Sequence, residues 1–125
     1  MLYDLSGSII NATDGPLTLF HYTTEDGQRG ILESNFLQAS LRSKNPKDAR
    51  YGDGQYLTDI PPGSRKGSSL SQALVRIPYC AHKFTHYVEI DITGLAITLG
   101  RINVYVALGT DPLSLDGRIK DWGVS

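Results

Sequence analysis

The sequence is poor in most of the residues that make a function obvious. It has one cysteine in 125 residues, which excludes an intramolecular disulfide framework and any zinc site built from several cysteines. No apolar run approaches the roughly 18–20 residues that a membrane-spanning helix needs. Neither charge dominates: 12 Lys and Arg stand against 13 Asp and Glu, a net −1, which argues against a protein whose whole surface binds nucleic acid. Residues 1–10 lack a basic stretch, and Asp4 and Ser6 interrupt their apolar residues, so they do not read as a signal peptide. Glutamate is scarce, three against ten aspartates, alongside 13 Gly and 6 Pro. Glutamate favours helices, whereas Asp, Gly and Pro favour turns and caps. The balance predicts a strand-and-loop protein with few helices.

What remains is enough for one folded unit. A chain of this length buries roughly two-thirds of its unfolded surface, and 40% of its residues are hydrophobic, so wholesale disorder is excluded. The expectation is a single domain over 1–125, with the polar, turn-rich residues 1–16 as an N-terminal arm. The sequon at 11–13 carries no meaning without a signal peptide.

Periodicity gives the order of elements. The run LTLFHY at 17–22 reads as a strand. Thr24 then caps a helix with Glu25 and Asp26 in its first turn, and Ser34-Asn35 ends it. Leu37, Ala39 and Leu41 alternate, residues 42–54 are a loop, and 55–59 form a short strand before Pro61-Pro62. Ser68 is the expected cap of a second helix built on Leu70, Leu74 and Ile77, with Pro78 as its stop. In 85–92, Val88, Ile90 and Ile92 face one way and Tyr87, Glu89 and Asp91 the other. Strands are expected at 95–99 and 103–108, separated by Gly100, and a last short one at Leu113 and Leu115, before a polar tail. The pattern is an α+β fold dominated by strands.

The near-neutral total hides a split. From 42 to 76 there are seven basic residues against three acidic, and the rest of the chain is correspondingly acidic. A basic middle suits an anionic ligand, although a solvated basic loop gives the same count.

Two segments carry candidate chemistry. His21-Tyr22 ends a strand directly before a helix start, where side chains and backbone N–H groups face a cleft. The segment Gly52-Asp53-Gly54-Gln55-Tyr56 opens the next strand, its glycines permitting close backbone approach. Each alone is weak: a core histidine and a G-x-G turn explain them equally well. Together, LTLFHYTTEDGQRGILESNFLQAS and DARYGDGQYLTDIPP resemble the ADP-ribosyltransferase superfamily, most closely its small toxin-like HYD1 branch and more distantly the catalytic domain of poly(ADP-ribose) polymerases. The likeness covers roughly residues 17–118.

That resemblance implies a strand-rich split-sheet fold with two short helices and a cleft for NAD+ between two small antiparallel sheets. It implies that His21 orients the nicotinamide-side ribose, that the backbone of Tyr22 clamps the nicotinamide amide, and that Tyr56 stacks on the nicotinamide ring. Thr23, Gly54 and Ser64 join the implied NAD+-binding set, Ser64 because it lies eight residues beyond Tyr56. Arg50, with Arg42 and Arg65, is a candidate for the pyrophosphate. The family's late-strand glutamate has no counterpart, because Val104 stands where it would sit. An H-Y-D variant uses an aspartate instead, so Asp91 is the first expectation for the residue that stabilises the cationic ribose, with Glu89 in reserve. On an exposed strand face both acids equally suit a purely solvent-facing role. No E-x-E occurs, so arginine is not assigned as the acceptor.

Cys80, His82 and His86 offer three candidate ligands within seven residues, but strand-like alternation after Lys83 spreads them and no fourth ligand is evident. No metal is expected. The expected function is NAD+ cleavage with ADP-ribose transfer to a macromolecular acceptor, with NAD+ hydrolysis and a non-catalytic NAD- or ADP-ribose-binding module as alternatives. The resemblance implies a toxin or effector working in the cytosol, with a cognate inhibitor protein as a further partner and no membrane.

Overall fold

A computed structural model describes residues 2–4, 9–10, 18–44 and 49–125. The 11–13 sequon, the turn at 14–16, and Lys47 and Asp48 of the basic segment lie outside the described residues. The chain runs β1 (Leu2–Asp4), β2 (Ile9–Ile10), β3 (Thr18–Thr23), α1 (Glu25–Ser34), β4 (Phe36–Leu37), β5 (Gly54–Leu57) and α2 (Gly67–Val75). It continues with a 3-10 turn at Ala81–Lys83, then β6 (His86–Asp91), β7 (Ile97–Arg101), β8 (Val104–Leu108), β9 (Leu113–Ser114) and β10 (Ile119–Val124). The fold is α+β and strand-rich, as expected. Its sheets have the orders β2-β1-β7-β8-β5, β10-β6-β3 and β4-β9. All pairs are antiparallel except β1 with β7, which is parallel, so strands fall within the stretch read as an arm.

The first helix forms for the reasons legible in the sequence. The Thr24 side chain accepts a hydrogen bond from the Gly27 N–H at 3.1 Å, satisfying one orphan donor of α1. Asn35 ends the helix in the left-handed region, at φ 62°. The second helix departs from expectation at both ends. Lys66, extended and without a side-chain cap bond, precedes it, so Ser68 lies within its first turn. Arg76, at φ 64°, ends it before Pro78 is reached.

Alternation along β3 and β6 sorts two cores onto opposite faces of one sheet. Leu19, Val88 and Ile90 pack with Ile31 of α1, and with Leu37, Leu57, Ile92, Ile97, Ala107 and Leu115. Val88, Ile90, Ile97 and Leu115 are completely buried, each worth about 1.5–3 kcal/mol in burial. On the other face Tyr22 and Tyr87 pack with Ile60 and with Leu70 of α2, flanked by Phe20 and Phe84. Gln28 of α1 staples the sheet's outer pair: its amide nitrogen donates to the Tyr87 and Gly123 carbonyls, both at 2.9 Å.

The two larger sheets meet at one point. Phe20 of β3 and Thr58, just beyond β5, exchange both main-chain hydrogen bonds at 2.8 Å. Ser40 and Gly54 exchange another pair at 2.8 and 3.0 Å. A Cβ on Gly54 would collide with the Ala107 carbonyl of β8, so the close packing of β5 on β8 at this end requires glycine. Between these two links, β3 and β5 part.

Candidate active site

The parting of β3 and β5 makes the site. In an antiparallel ladder, main-chain groups of alternate residues point to the same edge. Because Phe20 points at Thr58, Tyr22 points the same way, toward Tyr56, yet no Tyr22–Tyr56 backbone bond forms among the described residues. The His21 ring enters the gap instead: its Nδ1 lies 2.9 Å from the Tyr56 carbonyl oxygen. A carbonyl only accepts, so Nδ1 carries the proton and Nε2 keeps a lone pair. Burial lowers the His21 pKa below its ordinary 6.5, against the opposing pull of that carbonyl. At neutral pH the imidazole is therefore an uncharged acceptor at Nε2.

Tyr56 is fixed from behind. Its hydroxyl donates to the Gly52 carbonyl and accepts from the Tyr51 N–H, both at 2.8 Å. Burial raises its pKa. The G-x-G segment thus holds the tyrosine by its tip and leaves the ring to line a cleft of about 190 Å³. His21, Tyr22, Phe20, Thr58 and Val104 line the same cleft, with Leu74 and Val75 of α2 and Lys83 and Phe84 closing its other side. Tyr22 anchors the wall: its hydroxyl donates to the Ile60 carbonyl at 2.9 Å, and burial, with Tyr87 adding to it, pushes its pKa up to about 12.

The expected site residues separate into those the cleft gathers and those it does not. His21, Tyr22 and Tyr56 line it. Gly54 is the close-approach link at its end, paired with the cleft-lining Ser40. Thr23 is one residue beyond Tyr22, its hydroxyl facing Gly27 of α1. Ser64 is exposed, donates to the Pro61 carbonyl at 2.6 Å, and is not part of the lining. Arg50 and Arg65 are exposed outside the lining, while the charge of Arg42 acts on Tyr56.

The two candidate acids share the cleft-side face of β6 but not its distance from the cleft. Glu89 is the direct cross-strand neighbour of Phe20, and its carboxylate accepts from the Thr18 hydroxyl at 2.6 Å. Glu89, Phe20 and Thr58 form a row across three strands. Asp91 lies two residues further along β6, opposite Thr18. Hydrogen bonds from Thr93, one of them from its N–H at 2.8 Å, hold Asp91 below the ordinary carboxylate range, with Lys120 and Arg118 adding to this. Lys120 lies 3.9 Å from Asp91.

Val104, at the place of the family's late-strand glutamate, is 5% exposed in the cleft wall. Asp59, read as a strand end, ties β5 to β8: its carboxylate accepts from Asn103 Nδ2 at 2.8 Å and from the Tyr105 hydroxyl at 3.2 Å. Arg101 was not singled out from the sequence. Its guanidinium donates to the Ala73 and Leu74 carbonyls, both at 2.9 Å, and holds the C-terminal end of α2 beside the cleft. A basic residue on an otherwise apolar strand was the only signal of that role.

A sheet split between a histidine strand and a tyrosine strand, with the cleft at the split, is an ADP-ribosyltransferase arrangement. The family model described as HYD1 signature containing ADP-ribosyltransferase matches residues 19–119, and the chain belongs to that family. No curated protein and no solved structure matches it. ADP-ribosyltransferases use NAD+ as co-substrate, and the matched span contains the whole cleft.

Proposed function

We propose that the protein cleaves the nicotinamide–ribose bond of NAD+ and transfers ADP-ribose to a macromolecular acceptor. The observation that carries this reading is the neutral His21 bridging the split to Tyr56, with the Tyr22 main chain aimed into the same gap. The nicotinamide carboxamide, with one acceptor and two donors, complements the Tyr22 N–H and C=O. Tyr56 supplies a ring face to the nicotinamide, and His21 Nε2 accepts a hydrogen bond from a ribose hydroxyl. Holding both ends of the scissile bond removes rotational freedom before the bond breaks.

As nicotinamide leaves with the bonding electrons, positive charge develops on the ribose, and a fixed carboxylate stabilises it. Asp91 or Glu89 fills this role; the row position of Glu89 beside Phe20 brings it nearer the cleft. Arg50 and Arg42 supply cations for the pyrophosphate. A toxin or effector action in the cytosol, opposed by a cognate inhibitor protein, fits this chemistry.

The test is NAD+ labelled in its adenylate half, incubated with the protein and a cell extract. Label transferred to a macromolecule, with nicotinamide released, is the expected result. Free ADP-ribose as the sole labelled product makes the protein an NAD+ glycohydrolase. Val104 in the cleft wall favours a third reading, a binding module without turnover. That reading stands if no nicotinamide is released while NAD+ raises the melting temperature.

A further inference from the structure

Three arginines from separate segments meet at the C-terminal end of α2. Arg76 is the cap residue of the helix. Arg101 reaches over from β7 to the Ala73 and Leu74 carbonyls. Arg50 precedes Tyr51, whose ring lies on the β7 backbone at Gly100, where an added Cβ would come 2.7 Å from the ring. A helix C-terminus carries about half a negative charge and accommodates one cation; three exceed it. Among the described residues none of the three arginines has an ion-pair partner, and Arg101 Nε is buried without a hydrogen bond. Burial is the main cause that lowers the Arg101 pKa; Tyr51 opposes it, and the charges of Arg76 and Arg50 add to the lowering, so these guanidiniums are close enough to act on one another.

An exposed aromatic residue follows Arg76 in the chain. Tyr79, three residues after Arg76, is 73% exposed. Its turn is held to α2 because the Ser71 hydroxyl bonds the Ile77 carbonyl and the Cys80 N–H. None of these residues lines the cleft, but Leu74 and Val75 do. The patch therefore adjoins the cleft through the last turn of α2.

We propose that this patch binds a single-stranded nucleic acid and presents it as the acceptor of ADP-ribose, with a phosphate on the exposed Arg76, a base on Tyr79, and Arg101 adding its charge from behind. The acceptor role rests on the transferase reading above. Guanidinium forks match phosphate oxygens, and an exposed aromatic among cations is the usual platform for unpaired bases. The near-neutral chain confines such binding to this patch. In the transfer, a nucleophilic oxygen or nitrogen of the strand forms the new bond to the ribose anomeric carbon. Nicotinamide departs with the electron pair of the broken bond, and the nucleophile's proton passes to solvent.

The test is fluorescence anisotropy of a labelled single-stranded oligonucleotide, without NAD+, across a salt series. The double variant Arg76→Asn, Tyr79→Ser changes two exposed residues and keeps a side chain that tolerates the left-handed cap. It is expected to weaken binding by about tenfold or more and to flatten the logarithmic salt slope by about 0.7. Its NAD+ affinity and melting temperature should match wild type. Absence of binding by wild type, equal binding by the variant, or equal binding of an acidic peptide overturns the proposal. Weakened NAD+ binding by the variant overturns it too, by assigning the cations to the dinucleotide. Oligonucleotide binding by a wild type that releases no nicotinamide overturns the acceptor role and the transferase reading together, leaving a nucleic-acid-binding patch.

Discussion

The two faces of the β10-β6-β3 sheet differ in kind. The α1 face is aliphatic, with Val88 and Ile90 fully buried against Leu19 and Ile31. The α2 face carries Tyr22, Tyr87, Phe20, Glu89 and Asp91, whose hydroxyls and carboxylates all find partners. Strand alternation sends successive residues of β6 to opposite faces. Stability and chemistry are thus interleaved along one strand. His21 breaks this division: by register it belongs with Leu19 and Val88, yet its ring enters the split and bonds Tyr56.

Substitutions can break that division. The largest expected effect is Tyr56→Ala, which removes the ring face: nicotinamide release should fall about a hundredfold or more, with the melting temperature lowered but the fold retained. A parallel loss of activity and folding would mean that Tyr56 is structural. Next is Ile90→Ala on the aliphatic face, expected to cost about 2–5 kcal/mol of stability in denaturant unfolding. Its neighbour Glu89→Gln should leave stability nearly intact and lower turnover. A comparison with Asp91→Asn assigns the carboxylate: the variant with the larger loss in kcat at unchanged NAD+ affinity identifies it.

Gly100→Ala should have a smaller, indirect effect. Its Cβ would press on the Tyr51 ring at 2.7 Å, an overpacking worth about 1–3 kcal/mol, and would shift the N–H that holds Tyr56. KM for NAD+ should rise more than kcat falls. The smallest effect concerns pH. Burial lowers the pKa of His21 in the fold below 6.5, so the unfolded chain takes up its proton first as pH falls. The contribution of neutral His21 to stability is complete above 6.5 and is lost as pH drops toward the folded value. His21→Gln should flatten the stability profile over that interval in melts at stepped pH.

Much of this was legible in the sequence because local signals and tertiary packing agree. The LTLFHY strand, the Thr24 cap and the alternation of Tyr87 to Asp91 all carry their own periodicity. The segment 119–124 did not: Lys120, Asp121 and Trp122 are all exposed on β10, an edge strand paired only with β6, so it shows no buried face and read as a polar tail. Gly100 looked like a break between strands but lies within β7; the turn is at Ile102-Asn103, where Asn103 adopts φ 68°. Ser68 looked like a cap, but the cap is Lys66, two residues earlier. The split itself could not be seen, because it depends on where pairing between β3 and β5 stops. Arg101 and the crowding at the end of α2 likewise depend on contacts distant in sequence.

The central claim is that the gap between β3 and β5 is a nicotinamide site controlled by His21. Nicotinamide release from NAD+, measured side by side for wild type and His21→Ala at pH 7.5, tests it most directly. The account predicts steady release by wild type and a fall of about a hundredfold or more in the variant, which should still melt cooperatively, though at a somewhat lower temperature. Equal release by both proteins would contradict it.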